Sequence, residues 1–239
     1  MSRFVSLWHD PIAGAFLWSA LTILAYLGVK ALYRRWPRWW LAPLALTPVI
    51  VILAAIVLHT SYHDYIRGTH WLVALLGPAT VAFAVPIYQQ RRLIRRHWLT
   101  LGLGTLVGSA TSVMSSWALA TLLGLNGAVR LSLLPRSMST PFAMTISGEI
   151  GGTPDLTAVF VVVTGILGAM MGELLLTSFP GYSRLARGAL LGVGAHGAGT
   201  AKAHEFGQEE GSVAGLVMVM VGLFNVLLAP IVAACFRNG

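Results

Sequence analysis

An all-α polytopic membrane protein is the fold class this sequence predicts. It would hold about seven transmembrane helices, a re-entrant hairpin and inverted repeats with broken helices, in the manner of an elevator-type transporter. Three observations carry that expectation. The 239 residues are 56% hydrophobic and only 10% charged, whereas a soluble domain carries about 25% charge. Apolar runs of membrane-crossing length recur, separated by short basic loops. Two of these runs are interrupted by clusters of proline or glycine that an ordinary span does not tolerate. The net charge of +8 would suit nucleic acid if it formed a patch, but the basic residues sit beside apolar spans, where they act as orientation signals. Nucleic acid is therefore excluded as a partner and the lipid bilayer is expected as one. Cys235 is the lone cysteine, which rules out an internal disulfide and a cysteine metal cluster. Met1 to Asp10 is too short for a cleavable signal, and a bacterial inner membrane is the expected location.

The first span covers Ile12 to Leu32 and ends among Lys30, Arg34, Arg35 and Arg38, with Trp36, Trp39 and Trp40 interleaved. Basic residues within an aromatic belt mark a cytoplasmic interface, so the N-terminus is expected outside. Trp40 to His59 is the second span. His70 to Tyr88 follows and contains GPATVAFAVP, where Pro78 and Pro86 each remove a backbone donor, so this element is expected to break. Arg91, Arg92, Arg95 and Arg96 then form the densest basic cluster, placed in the cytoplasm. Trp98 to Leu125 is the fourth span, with Gly104 and Gly108 in GxxxG register and Ser109, Ser112, Ser115 and Ser116 after them, a pattern of close helix packing.

Val129 to Gly152 carries Arg130, Pro135, Arg136 and Pro141 inside an apolar run, which predicts a re-entrant hairpin. Leu156 to Ser178 is a clean span with Gly168 and Gly172 in GxxxG register, leading to Arg184 and Arg187. The next stretch holds four glycines, Gly192, Gly194, Gly197 and Gly199, around His196. Each glycine costs about 1 kcal/mol against alanine in a helix interior, so irregular backbone at membrane depth is predicted, and such backbone survives only inside protein or beside a water-filled cavity. An acidic loop with Glu205, Glu209 and Glu210 follows, expected on the outer face, where Lys202 would pair with Glu205. Val213 to Phe236 is the last span, with the C-terminus in the cytoplasm.

A shift of about 115 residues superimposes Trp40 on Asp155, Trp98 on Val213, and ALLG at Ala74 on ALLG at Ala189, giving a first repeat unit at 39–125, a hairpin at 129–152 and a second unit at 155–236. Loop charges of opposite sign at matching positions imply that the units are inverted. Inverted repeats with broken helices place substrate near the bilayer midplane, with helix N-termini turned towards anions. A small carboxylate is the natural ligand, held by Pro78, Ala79 and Thr80, by Arg136, Ser137, Ser139 and Thr140, and by Ala195, His196, Gly197, Gly199 and Thr200.

Arg136 either pairs bidentately with that carboxylate or snorkels to the interface. His196 either relays a proton or serves as a neutral hydrogen-bonding group. The hydroxyls of Thr80, Ser137, Ser139, Thr140 and Thr200 suit either a polar solute or the capping of broken backbone. Glu173 belongs at the cytoplasmic interface. No cofactor is expected; coupling to protons or to sodium stays open. The chain is not an enzyme by its motifs, since neither a GxSxG elbow nor an HExxH helix occurs, and His196 with His204 lacks a third metal ligand. The GxxxG rows suggest a homodimer.

The segments LLGPATVAFAVPIY (Leu75 to Tyr88), SLLPRSMSTPFAM (Ser132 to Met144), GGTPDLTAVFVVVTGILGA (Gly151 to Ala169) and ARGALLGVGAHGAGTAKAHEFGQEEGSVAGL (Ala186 to Leu216) resemble hallmarks of the LrgB/CidB antiholin-like membrane protein family. The resemblance implies control of murein hydrolase activity and autolysis beside a small holin-like partner of the LrgA/CidA type. It also implies transport, because plastid relatives carry glycolate and glycerate and some bacterial pairs are linked to pyruvate uptake. Where the family pattern has lysine in an LLPKS segment, this chain has Arg136, which keeps the charge and changes its geometry. Together these features predict a secondary transporter of small monocarboxylates such as glycolate, glycerate or pyruvate, with an antiholin-like regulator as the alternative.

Overall fold

A computed structural model describes residues 11–36, 38–82 and 84–237. Among these residues every regular element is helical: α1 (Pro11–Arg35), a 3-10 turn (Trp39–Leu41), α2 (Pro43–Val57), α3 (Tyr62–Ala74), α4 (Leu76–Ala82), α5 (Ala84–Gln89), α6 (Arg91–Leu122), α7 (Gly127–Leu133), α8 (Thr140–Ile150), α9 (Pro154–Ser178), α10 (Arg184–Phe206) and α11 (Gln208–Arg237). Three described helices hold a stretch long and apolar enough to cross a membrane: Ala13–Arg35, Pro154–Ser178 and Gln208–Pro230. By length and composition these are fewer than the about seven transmembrane helices expected. The apolar helix α2 has only 15 residues, and α6, though 32 residues long, is diluted by arginines and hydroxyls and kinked at His97. The span expected at His70 to Tyr88 is three pieces, α3, α4 and α5, with the prolines in the two short ones.

The chain forms two compact units, Met1–Ala79 and Thr80–Gly239. The first is organised on α1. Trp18, fully buried, meets Tyr65 of α3 edge-on at 5.4 Å between ring centroids. Ser19 Oγ donates to the Gly68 carbonyl at 3.0 Å and accepts from Trp71 Nε1 at 2.8 Å. The approach is close because residue 68 is glycine: a Cβ there would lie 2.9 Å from Ala15 Cα.

The second unit is built round α11, in which 50% of the span-length window is buried, against 22% in α9. Its core joins Leu101 of α6, Leu134 and Met138, Ala143 and Ile146 of α8, Val161 of α9, and Val213, Val217 and Val221 of α11. Outward-facing Leu122, Met171 and Leu227 are exposed, as lipid-facing side chains are.

Two segments of this unit fold back on themselves. The first is the hairpin expected at Val129 to Gly152. After α7 the chain turns through Leu134 to Ser139, and α8 returns so that the Thr153 N–H reaches Ser132 Oγ at 2.7 Å. Thr157 Oγ1 lies within hydrogen-bond distance of the Ser132 carbonyl, at 3.0 Å, and of Ser147 Oγ, at 2.7 Å, pinning both limbs to the start of α9. Gly151 closes α8 at φ 89°, a left-handed value that favours glycine.

The second fold-back is α10. A straight helix of its 23 residues would span about 33 Å, yet Arg184, at its start, bonds Glu209, just past its end, at 3.0 Å. The reversal is His196, with φ 39° and ψ −119°, a conformation costing about 1–3 kcal/mol for a residue with a Cβ. The first limb packs along α9 through small residues: a Cβ at Gly168 would lie 2.5 Å from the Gly194 carbonyl oxygen, and one at Gly172 2.6 Å from Leu191 Cδ2. The second limb returns close enough to the first that a Cβ on Gly199 would strike the Leu191 carbonyl.

Three expectations are thereby corrected. The acidic loop at Glu205 to Glu210 lies at the same end as Arg184 rather than on the opposite face, so its charge no longer marks inversion of the second repeat unit. Lys202 reaches Glu173 at 2.7 Å as well as Glu205 at 2.7 Å, so both groups share one end of the molecule. The GxxxG row of α9 is consumed by α10 in the same chain and is not a free dimer surface. The physical reason is common to all three: glycines at 165, 168 and 172 let a bent helix lie in contact with α9, which a bulky row would forbid.

Candidate functional site

The two fold-backs point at each other. Arg136 lies in the turn of the first, three residues before the N-cap Ser139. Its Nε donates to Ser116 Oγ at 2.8 Å, Nη2 to Ser115 Oγ at 3.3 Å and Nη1 to Thr164 Oγ1 at 3.5 Å. Ser115 and Ser116 each donate their own hydroxyl proton to the Ser112 carbonyl, at 2.9 and 2.8 Å, so they present lone pairs to the guanidinium. No carboxylate among the described residues lies in ion-pair range of Arg136. Neutral oxygens orient this cation without neutralising it, and some of its N–H groups remain for a ligand.

His196 is 4% exposed, and its Nε2 donates to the Val161 carbonyl at 3.0 Å. A carbonyl cannot donate, so in the neutral ring Nδ1 is the acceptor. Thr200 Oγ1 donates to the His196 carbonyl at 2.9 Å, capping the backbone opened by the reversal. Gly165 faces this ring, since a Cβ there would lie 2.6 Å from His196 Cε1.

Val161, Thr164 and Gly165 occupy about one turn of α9, roughly 6 Å of axis, so both tips converge near its middle. At each tip the returning helix begins, at Thr140 for α8 and at Gly197 for the second limb of α10. Each therefore offers a positive dipole end and free backbone N–H groups there. Ser139 Oγ is buried beside the first of these ends and has no hydrogen-bond partner among the described residues.

Of the residues singled out from sequence, Arg136, Ser137, Ser139 and Thr140 share the first tip, and Ala195, His196, Gly197, Gly199 and Thr200 the second. Pro78 is exposed in the other compact unit, and the side chains of Ala79 and Thr80 lie outside those described. The site is thus built here from the two fold-backs alone. Ser115, Ser116, Thr164 and Val161 were missed as its members. The available signal was Arg136 itself, since a cation at that depth needs oxygens, and α6 carries a serine row before it. Among the described residues no group of three or more His, Cys, Asp or Glu could hold a metal.

Residues 22–235 match the model of the LrgB-like family. The chain belongs to the LrgB-like family. It is 38% identical over 210 residues to YwbG of Bacillus subtilis (strain 168), covering 88% of this chain and 93% of that one. YxaC of the same organism is 36% identical over 217 residues, with coverage of 91% and 94%. The holin-like protein CidB of Staphylococcus aureus (strain N315) is 28% identical over 222 residues, with coverage of 93% and 97%. No solved structure matches the chain. As an LrgB-like protein with apolar helices of spanning length, it is a membrane protein.

Proposed function

We propose that this LrgB-like protein is a secondary transporter of small monocarboxylates such as glycolate, glycerate or pyruvate. The observation that carries this is the guanidinium of Arg136, held by three hydroxyls at a fold-back tip with no carboxylate to balance it. An intramembrane cation left uncompensated is a site for an anion, and a planar fork suits a carboxylate. The starts of α8 and of the second limb of α10 add dipole ends and N–H donors around the same turn of α9. Ser139, Thr140 and Thr200 supply neutral hydrogen bonds, and the small residues Ala195, Gly197 and Gly199 leave room for backbone contacts.

The end carrying Arg91, Arg92, Arg95, Arg96, Arg184 and Arg187 faces the cytoplasm of a bacterial inner membrane. Proteoliposomes holding the purified chain provide the test. Uptake of glycolate or pyruvate under a proton or sodium gradient, lost in Arg136→Ala, is the expected result.

A second reading draws on the holin-like naming of the CidB relatives. In it the protein modulates a small membrane partner of the LrgA/CidA type and thereby murein hydrolase activity. Tight partner binding with no carboxylate flux under any gradient would select this reading over the first.

A further inference from the structure

We propose that Arg130 is a second anion-binding group of the hairpin, a stop for the carboxylate on its way to Arg136. The inference rests on the transport reading for that onward passage, but not for the binding of an anion at Arg130.

Arg130 belongs to α7, the limb that leads from the end of α6 towards the Arg136 turn. Its guanidinium lies over the Trp117 ring of α6, 3.3 Å from the ring centroid, and Nη2 donates to Thr121 Oγ1 at 2.9 Å. Thr121 gives its own proton to the Trp117 carbonyl at 2.8 Å, so it meets the cation with a lone pair. Nε is buried and has no partner among the described residues. Glu149 and Asp155, the acids closest to Arg130 in the chain, form no ion pair. Arg130 is thus held as Arg136 is, by oxygen that orients it and does not neutralise it. A snorkelling arginine keeps its head group in water, whereas here an indole covers one face and Nε is sealed from solvent. Joining α6 to α7 across the turn from Leu123 to Asn126 needs no charge, and a buried cationic N–H is costly until an acceptor meets it.

One helix carries oxygens for both cations: Ser115 and Ser116 of α6 hold Arg136, and Thr121 holds Arg130. Thr121 lies about 7.5 Å of helix axis beyond Ser116. Partly buried like charges at such a spacing repel one another with little screening, a cost that an anion beside them removes. Nη1 of Arg130 bonds no group of the described residues and is open to a ligand, and the planar group suits a carboxylate. Arg130 lies nearer the root of the hairpin, where α6 ends, and Arg136 lies at its tip. An anion arriving from the root therefore meets Arg130 first and finds the second cation one step deeper along the same helix.

The test is uptake of glycolate or pyruvate into proteoliposomes over a range of concentrations. Arg130→Gln should raise KM about tenfold and leave kcat within about twofold, the pattern of a group that binds the solute without acting in the slow step. Arg130→Lys, which keeps the charge, should raise KM no more than about threefold. An unchanged KM in Arg130→Gln, or a fall in kcat with KM intact, overturns the proposal. Glycolate titrated against the intrinsic fluorescence of the chain in phosphatidylcholine vesicles gives a reading that needs no flux. The glycolate-dependent change should vanish in Arg130→Gln and in Trp117→Phe, and persist in Arg130→Lys and in Arg136→Ala. A change that is absent from the parent, or that follows Arg136 and ignores Arg130, overturns the site. Loss of the change when phosphatidylglycerol is added to the vesicles assigns Arg130 to a lipid phosphate and overturns the carboxylate stop. If the parent carries no carboxylate yet its fluorescence response depends on Arg130, the transport reading fails and the anion site stands.

Discussion

The two fold-backs of the second compact unit solve the same geometric problem by different means. The first reverses over several residues, from Leu134 to Ser139, and invests that length in polar chemistry: a proline, an arginine and two buried serines. The second reverses at one residue, His196, and depends on close backbone approach permitted by Gly165, Gly168 and Gly199. The first tip is fixed by hydrogen bonds to hydroxyls on α6 and α9, so it is the part that recognises. The second is fixed by one ring-to-carbonyl bond and by close packing of its limbs against each other, α9 and α11, so it is the part that fits by shape. Recognition needs preorganised donors, whereas fitting by shape needs small residues that let backbones approach.

That contrast can be broken from either side. The largest effect is expected where packing is tightest. Gly199→Leu must push apart the limbs of α10, and overpacking of this kind costs about 1–3 kcal/mol or more. A clear fall in melting temperature in detergent should follow, while Gly104→Ala on the open face of α6 should leave it unchanged or raised by the gain of about 1 kcal/mol in helix propensity. Equal effects at the two positions would contradict the packed fold-back.

Next in size is the recognition element. Arg136→Ala should weaken carboxylate binding about a hundredfold, on the scale of a charge-assisted bidentate pair. Arg136→Lys, which keeps charge and loses the fork, should fall between the variant and the parent. Calorimetric titration with glycolate or pyruvate reads both. A smaller loss, about fivefold, is expected for Ser116→Ala, which removes the oxygen that orients Nε. Identical affinity in that variant would mean that the α6 hydroxyls do not position the arginine.

The smallest effect concerns the reversal itself. His196→Gly trades a strained φ worth about 1–3 kcal/mol against a ring-to-carbonyl bond of about 1 kcal/mol and some packing. Thermal stability should therefore change little, and a collapse in stability would show that the ring, and not the backbone, holds the turn.

Much of this was legible from residues alone. Composition and apolar runs announced a helical membrane protein because a bilayer leaves a chain few alternatives. Pro135, Arg136 and Pro141 announced the first fold-back, since neither a charge nor paired prolines suit a simple span. The glycines around His196 announced irregular backbone, but not its form. A kinked span and a full reversal share the same glycine-rich pattern, and what separates them is whether a neighbouring helix offers a groove. Gly165, Gly168 and Gly172 of α9 provide that groove, as a long-range fact that local pattern does not encode.

The sequence by itself thus determined the class of fold and the places where helices fail, because these follow from local propensity and the cost of polar groups in hydrocarbon. Only the tertiary structure decided that α10 turns back, that Lys202 meets Glu173, and that serines on α6 face the arginine of another element. Those are contacts between segments far apart in the chain, chosen by which surfaces can approach closely enough to pack.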